Sequence, residues 1–205
     1  MNPTFICFYT VGTIYEAEAA RLRKSLDRLG LPHDLRPIAD RGSWEMNTGF
    51  TASFLTQMME ERPGPLVYLD ADAVVWQRPT LLEELSPEDF DLALHYRGGK
   101  ELLNGTLWLG STTACRKAIR IYKAKCEAQP KFRNEQLFLQ QAIEQMGDRL
   151  RVNRLPAEYC WIHDIMAKDI EGEPIIEHLQ ASREMTGSTL LPSRRMRLAE
   201  IEGRL

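Results

Sequence analysis

Two aspartates, Asp70 and Asp72, lie inside the run Leu66-Val67-Tyr68-Leu69-Asp70-Ala71-Asp72-Ala73-Val74-Val75. The run follows Pro63-Gly64-Pro65, is short and is rich in β-favouring residues, so it reads as a buried strand rather than a helix. On an extended backbone side chains alternate faces, so residues two apart converge on one point. Two carboxylates beside a core repel each other and lose hydration, and the neighbouring residues supply no partners for them. A hard divalent cation, Mn²⁺ or Mg²⁺, answers both costs by taking carboxylate oxygens while keeping positions open for phosphate and water. The plainer alternative is a strand end with two solvated acids. Against it, Ala73-Val74-Val75-Trp76 stays apolar beyond the acids before Arg78-Pro79 ends the element.

The elements that must position these acids alternate along the chain. A strand is expected over 5–10, a turn at Gly12-Thr13, and a helix over 15–29 whose stripe is Ala19, Leu22, Leu26 and Leu29, stopped by Gly30. A second strand follows over 33–38, then a helix capped by Asn47 or Thr48 and running to about residue 61, before Pro63. After the acidic strand come a short helix over 80–85, a strand over 91–95, a tight turn at Asn104-Gly105 and a strand over 107–109. Helices over 114–128 and 134–146, short strands over 151–155 and 174–178, and a terminal helix over 191–201 complete the pattern. Strands alternating with helices imply an α/β fold of three α/β/α layers, Rossmann-like, with a mixed but mostly parallel sheet, in one domain spanning 1–205. In such sheets ligands sit beyond the carboxyl ends of the strands, which puts Tyr9, Thr10, Asp70, Asp72 and His95 on one edge.

Composition narrows the classes. A chain of 205 residues with a net charge of −3 has no global basic field, so tight non-specific binding to nucleic acid is not implied. Cys7, Cys115, Cys126 and Cys160 form no CxxC pair or zinc spacing and read as ordinary reduced thiols. No apolar run approaches the ~20 residues that span a bilayer, and the N-terminus lacks a signal-peptide pattern. A cytoplasmic protein is the expectation.

Further motifs follow the acidic pair in order. Tyr68-Leu69-Asp70-Ala71-Asp72 resembles the DxD motif of nucleotide-sugar glycosyltransferases of the GT-A fold. Thr10-Val11-Gly12-Thr13 resembles that family's nucleotide-binding loop after the first strand. Asn104-Gly105-Thr106-Leu107-Trp108-Leu109 is similar to its sugar-facing strand, except that Gly directly follows Asn. Glu135-Gln136 resembles a DQ pair near the acceptor, with Glu in place of Asp. Ile175-Ile176-Glu177-His178 resembles the late segment whose His completes the metal site. The likeness covers about residues 4 to 183 and is nearest the retaining, galactosyltransferase-like members and the nucleotide-diphospho-sugar transferase domains. One departure is Thr51, close to where related sequences often carry Lys or Arg.

The resemblance implies a hexosyltransferase acting with retention, a nucleoside-diphosphate sugar donor with uridine diphosphate favoured, and a separate acceptor. It implies Mn²⁺ (or Mg²⁺) on Asp70, Asp72 and His178. Donor contacts fall to Tyr9, Thr10, Gly12, Thr13, Asp70, Asn104 and Gly105, and catalysis to Gln136, Glu135 and Asp72. Each assignment has a plainer counterpart. His178 could be a satisfied half-buried histidine, Glu135 could serve only the dipole of its helix, and Gln136 could be a surface amide. Trp108 and Trp161 read as core or wall before sugar platforms. Arg194-Arg195-Met196-Arg197 is either a solvated helix face or part of a tail, about 184–205, folded over the diphosphate. Two other functions compete: a sugar-nucleotide-binding protein without turnover, and a haloacid-dehalogenase-type phosphohydrolase with Asp70 as phosphoryl acceptor. The second normally carries its loop on the first strand and needs a late acidic pair, which this chain lacks.

Overall fold

In the computed structural model the described residues are 2–204 apart from 131, 133 and 187. Strands β1 (Thr4–Thr10), β2 (His33–Ile38) and β3 (Leu66–Leu69) pair in parallel around β1. Strands β4 (Ala73–Val75), β5 (Leu92–Arg97), β6 (Glu101–Leu109), β7 (Val152–Arg154) and β8 (Ile176–His178) follow. The main sheet runs β2-β1-β3-β6-β5-β7, with β6 antiparallel to both neighbours and β7 parallel to β5. Because β6 runs backwards, its first half shares an edge with the carboxyl ends of β1 and β3.

Period-2 alternation serves two apolar faces here. Ile6, Tyr68, Leu107 and Leu109 point to one core, and Phe5, Cys7, Val67, Leu69 and Trp108 to the other. The first core is covered by α3 (Thr51–Glu61), α5 (Thr113–Ala128) and α6 (Gln136–Met146), through Leu55, Met58, Ile119, Tyr122 and Leu139. The second lies under α1 (Ile14–Arg28), whose Leu22 and Leu26 are fully buried. Thr13 caps α1, its hydroxyl accepting from the Tyr15 N–H at 3.2 Å. Gly30, at φ +62°, ends it with a Leu31 N–H to Leu26 carbonyl bond of 3.1 Å. Trp108 is wholly buried and the Trp161 indole donates to the Met166 carbonyl at 2.8 Å, so both are core. The four cysteines are buried and free. No helix among the described residues is long and apolar enough to cross a membrane.

Three expectations change. The run 66–75 is not one strand: the Ala73 N–H donates to the Asp70 carbonyl at 3.0 Å, a turn that ends β3 and starts β4, which pairs with β8 in a separate two-stranded sheet. The acids therefore converge through a turn rather than through strand alternation. Second, Asn104-Gly105 makes no hairpin turn. It lies inside β6, and the chain reverses at Gly98 and Gly99, at φ +57° and +74°. Third, the helix expected from 47 or 48 is two: α2 (Trp44–Thr48), capped by the Ser43 hydroxyl, and then α3, which starts at Thr51 with no side-chain cap.

The C-terminal part contributes α7 (Ser182–Thr186) and α8 (Leu191–Glu202), while α4 (Thr80–Glu84) lies earlier under the second core. The basic run on α8 is neither solvated as a whole nor laid over the cleft. Arg194 is buried against Glu18 and Glu184, Arg195 pairs with Glu184 at 2.9 Å, and Arg197 forks onto buried Glu177 at 2.7 and 2.8 Å. These acids come from three different elements, so local charge patterning could not place them.

Candidate active site

The carboxyl ends of β1 and β3 and the first half of β6 meet at one edge, and a cleft of about 270 Å³ opens there. A bulge shapes its floor. Leu94 pairs with Leu107 but His95 with Leu103, so 104–106 of β6 have no partner on β5. They turn instead towards β3, where the Asp70 N–H donates to the Gly105 carbonyl at 2.9 Å. This bulge brings Asn104 into the cleft and Thr106 beneath it.

Asp70, Asp72 and His178 come together, each offering one ligand atom within 4.8 Å of the others. Their hydrogen bonds leave a consistent remainder. The Tyr68 hydroxyl donates to Asp70 Oδ1 at 2.8 Å, and the Ala181 N–H to Asp72 Oδ2 at 2.7 Å. His178 Nε2 meets the Thr106 hydroxyl at 2.8 Å, while Nδ1 is buried with no hydrogen-bond partner and stands 3.7 Å from Asp72 Oδ1. Asp70 Oδ2, Asp72 Oδ1 and His178 Nδ1 thus surround one position. Gly105 keeps it open: a Cβ there would stand 2.8 Å from His178 Cε1, 3.0 Å from Nδ1 and 3.2 Å from Asp70 Oδ2. Two carboxylate oxygens and an imidazole nitrogen fit a divalent ion such as Mn²⁺ or Mg²⁺.

The three groups also shift one another's titration. Burial, with the Asp72 charge next to it, pushes the Asp70 carboxyl up, opposed by His178. Burial also penalises Asp72, but the His178 ring, the Ala181 N–H and Arg194 outweigh it and hold that carboxyl below its ordinary range. Burial disfavours an imidazolium at His178, yet Cys160 and Asp72 prevail and push the ring's pKa well above its ordinary range. Burial raises the Glu135 carboxyl too, against a hydrogen bond from Asn104 Nδ2 at 3.1 Å.

The structure distributes the other expected residues unevenly. Tyr9, Thr10, Asn104, Glu135 and Gln136 line the cleft. Glu135 stands just before α6 and forms no side-chain cap; its carboxylate meets Asn104 across the cleft. Gly12 and Thr13 do not line it: the Gly12 N–H donates to Glu16 at 3.0 Å and Thr13 caps α1, so both organise the helix start. Gly105 lies beneath the floor as the space for His178. His95 lies outside the cleft and bonds the Leu155 carbonyl through Nδ1 at 2.9 Å. Sequence reasoning missed the wall made by Tyr15, Trp44, Asn47 and Thr48, where the Trp44 indole donates to the Tyr15 hydroxyl at 3.1 Å, and it missed Gln180 and Ser182. Only Ser43, as a helix cap before Trp44, carried a signal for that wall. Thr51 lines the cleft but is buried, its hydroxyl bonded to the Thr48 carbonyl at 2.7 Å.

No protein-family model and no curated protein matches the sequence. Solved structures do match its fold. A glycosyltransferase involved in glycosylating the major capsid of PBCV-1 superposes with a TM-score of 0.67 at 13% identity, covering 87% of this chain and 94% of that one. GlyE, a glycosyltransferase of Streptococcus pneumoniae TIGR4, gives 0.59 at 16% identity, over 87% of this chain and 54% of its own. The galactosyltransferase LgtC, solved with donor and acceptor sugar analogs, gives 0.58 at 12% identity, over 85% of this chain and 86% of its own. At such identities the likeness is one of architecture, and the chain has the α/β fold of the GT-A glycosyltransferases.

Proposed function

We propose that the protein is a metal-dependent glycosyltransferase that moves a sugar, with retention, from a nucleoside-diphosphate sugar to a separate acceptor, with uridine diphosphate the favoured carrier. The observation that carries this reading is the open donor set Asp70 Oδ2, Asp72 Oδ1 and His178 Nδ1 beneath the cleft of a glycosyltransferase fold. Asp70, Asp72 and His178 would hold Mn²⁺ or Mg²⁺, and the imidazole favours Mn²⁺. When bound, the ion neutralises charge that builds on the departing diphosphate.

The chain's own groups divide the remaining work. Tyr9, Thr10, Tyr15 and Trp44 form an aromatic, hydrogen-bonding end of the cleft suited to a flat base and its ribose. Asn104 and Glu135, joined across the opposite side, address sugar hydroxyls. Gln136 and Glu135 line the same cleft, and a polar side chain beside the sugar ring would favour the positive charge that develops there as its bond to phosphate lengthens. Asp72, fixed at its carbonyl by the Leu179 N–H at 3.1 Å and at Oδ2 by Ala181, keeps the leaving-group end rigid. The phosphohydrolase alternative asks for its nucleophile loop after the first strand, whereas Asp70 follows β3.

Among the described residues every charged group lining the cleft is an acid: Asp70, Asp72 and Glu135. A bare diphosphate would meet repulsion there. Calorimetry of uridine diphosphate with Mn²⁺ and with EDTA tests the reading. Binding should tighten about a hundredfold with the ion, or about 2.7 kcal/mol. Equal affinity in both would refute it, and a panel of nucleotide sugars assayed for turnover then separates a transferase from a protein that only binds.

A further inference from the structure

The segment 177–184 supplies His178 and the Ala181 N–H that fixes Asp72, yet its own secondary structure is slight. Strand β8 has three residues, paired with β4 in a two-stranded sheet and with Trp161 through a single parallel bridge, and α7 has five. Elements that short do not hold a geometry alone. Gln180 between them has φ +53°, a left-handed conformation that persists only when the surroundings impose it.

The Trp161 and Asp72 backbones and the Arg183–Asp164 pair hold the middle of the segment, and arginines of α8 hold its two ends. Glu177 opens the segment and is fully buried; Arg197 forks onto both its oxygens, and the Trp76 indole donates to Oε2 at 2.8 Å. Glu184, on α7, accepts from Arg194 Nη1 at 3.0 Å. The same Arg194 reaches Glu18 on α1, with both side chains almost wholly buried. One helix therefore clamps both ends of the segment that delivers the His178 ring and the Asp72 clamp, and ties it to the helix that follows β1.

We infer that α8 is a working part of the cation site, with Arg194 and Arg197 as positioning residues that set the affinity of Asp70, Asp72 and His178 for a divalent ion. This rests on the reading of those three residues as cation ligands. A buried carboxylate that loses its guanidinium must move towards water, and that movement shifts the backbone next to His178 or Ala181. Loss of residues that orient metal ligands typically weakens a site by about 10–100-fold.

The test is direct Mn²⁺ binding to the intact chain, read as free Mn²⁺ by electron paramagnetic resonance, at a temperature where circular dichroism shows every variant folded. Arg197→Met and Arg194→Met should raise the Kd at least about tenfold. Arg197→Lys, which keeps the charge but loses the fork, should give a smaller rise and remains the deciding variant if the Met forms fail to fold. Ile119→Val, in the core under α5, supplies a matched loss of stability and should leave the Kd where it is. The Mn²⁺ concentration for half-maximal activity should rise in parallel with the Kd. If the parent chain binds no Mn²⁺, the cation reading falls and this inference falls with it. If the parent binds Mn²⁺ and the folded arginine variants match it, or Ile119→Val weakens binding equally, the role of α8 alone is overturned.

Discussion

Phe5, Ile6, Val67, Tyr68, Leu107 and Trp108 reach their places in the main sheet by alternation, each strand sending successive side chains to opposite cores. Residues 176–202 are assembled differently. Beyond Ile176 in the second core and the β4–β8 pairing, their apolar contribution is Leu179, Leu198 and Ile201 against Val74 and Trp76, and the remaining attachment is largely ionic, with Arg194, Arg195 and Arg197 on Glu18, Glu184 and Glu177 and Arg183 on Asp164. The first region gains free energy in proportion to area and tolerates small shifts. The second depends on a few buried charges whose partners must all be present, so it is exacting in position while adding little net stability. The proposed cation ligands stand where the two regions meet, Asp70 and Asp72 on one and His178 on the other.

That contrast can be broken at graded cost. Leu107→Ala, in the middle of β6, should lose about 2–5 kcal/mol of unfolding free energy by urea titration. Asp72→Asn should lower transfer by about a hundredfold or more, close to 3 kcal/mol of transition-state stabilisation, with the urea midpoint little changed. A parent-like rate would remove Asp72 from the site. Gly105→Ala and Gly110→Ala sharpen the distinction. The first puts a methyl against the His178 ring and should weaken Mn²⁺ binding about tenfold, whereas the second meets the Phe90 carbonyl at 2.9 Å and should cost stability alone. Equal effects of both on Mn²⁺ would mean that the ring's position does not matter.

Smaller effects belong to the rim. The Arg151 guanidinium beside Asp91, with Thr112 and the Arg151 N–H, holds that carboxyl down to about 2. An unfolded aspartate titrates near about 3.9, so this pair contributes stability fully above that pH and loses it as pH falls towards 2. Asp91→Asn should flatten the fall in unfolding free energy between about pH 4 and 2, measured by urea titration at stepped pH; an unaltered slope would mean that another acid governs the window. Least of all, Arg195→Ala removes a guanidinium that is 65% exposed and should change stability by less than about 0.5 kcal/mol.

What the sequence made legible follows the same division. Strands β1, β2 and β3 and helix α1 are visible as periods and caps. Asp70 and Asp72 stand out because a folded chain seldom keeps two acids inside an apolar run without a ligand to hold, and His178 joins them in space as the motif order implies. The turn at Asp70 was hidden, since Ala73-Val74-Val75 is as apolar after it as before it, and hydropathy does not record which sheet a strand joins. Asn104-Gly105 carries a hairpin signal but is spent in a bulge, because Gly98-Gly99 takes the reversal first. The wall of Tyr15, Trp44, Asn47 and Thr48 comes from a helix start and the short helix α2, where no period links its members. Gly12 and Thr13 look like a ligand loop because the residues that start a helix and those that meet a phosphate are of the same types.

The bulge in β6 has a consequence for where that strand can carry a side chain. Residues 106–109 are locked in register to β3, 107–109 also to β5, and 101–103 to β5, so the core contacts on either side are fixed independently of Asn104 and Gly105 between them. Asn104 lines the cleft from that interval and belongs to neither apolar core, though it lies beside Tyr122 of the first. Gly105, one residue further, has the His178 ring lying against it. Within one strand, adjacent positions thus differ sharply in the room they leave, with a side chain facing the cleft at the first and none admitted at the second.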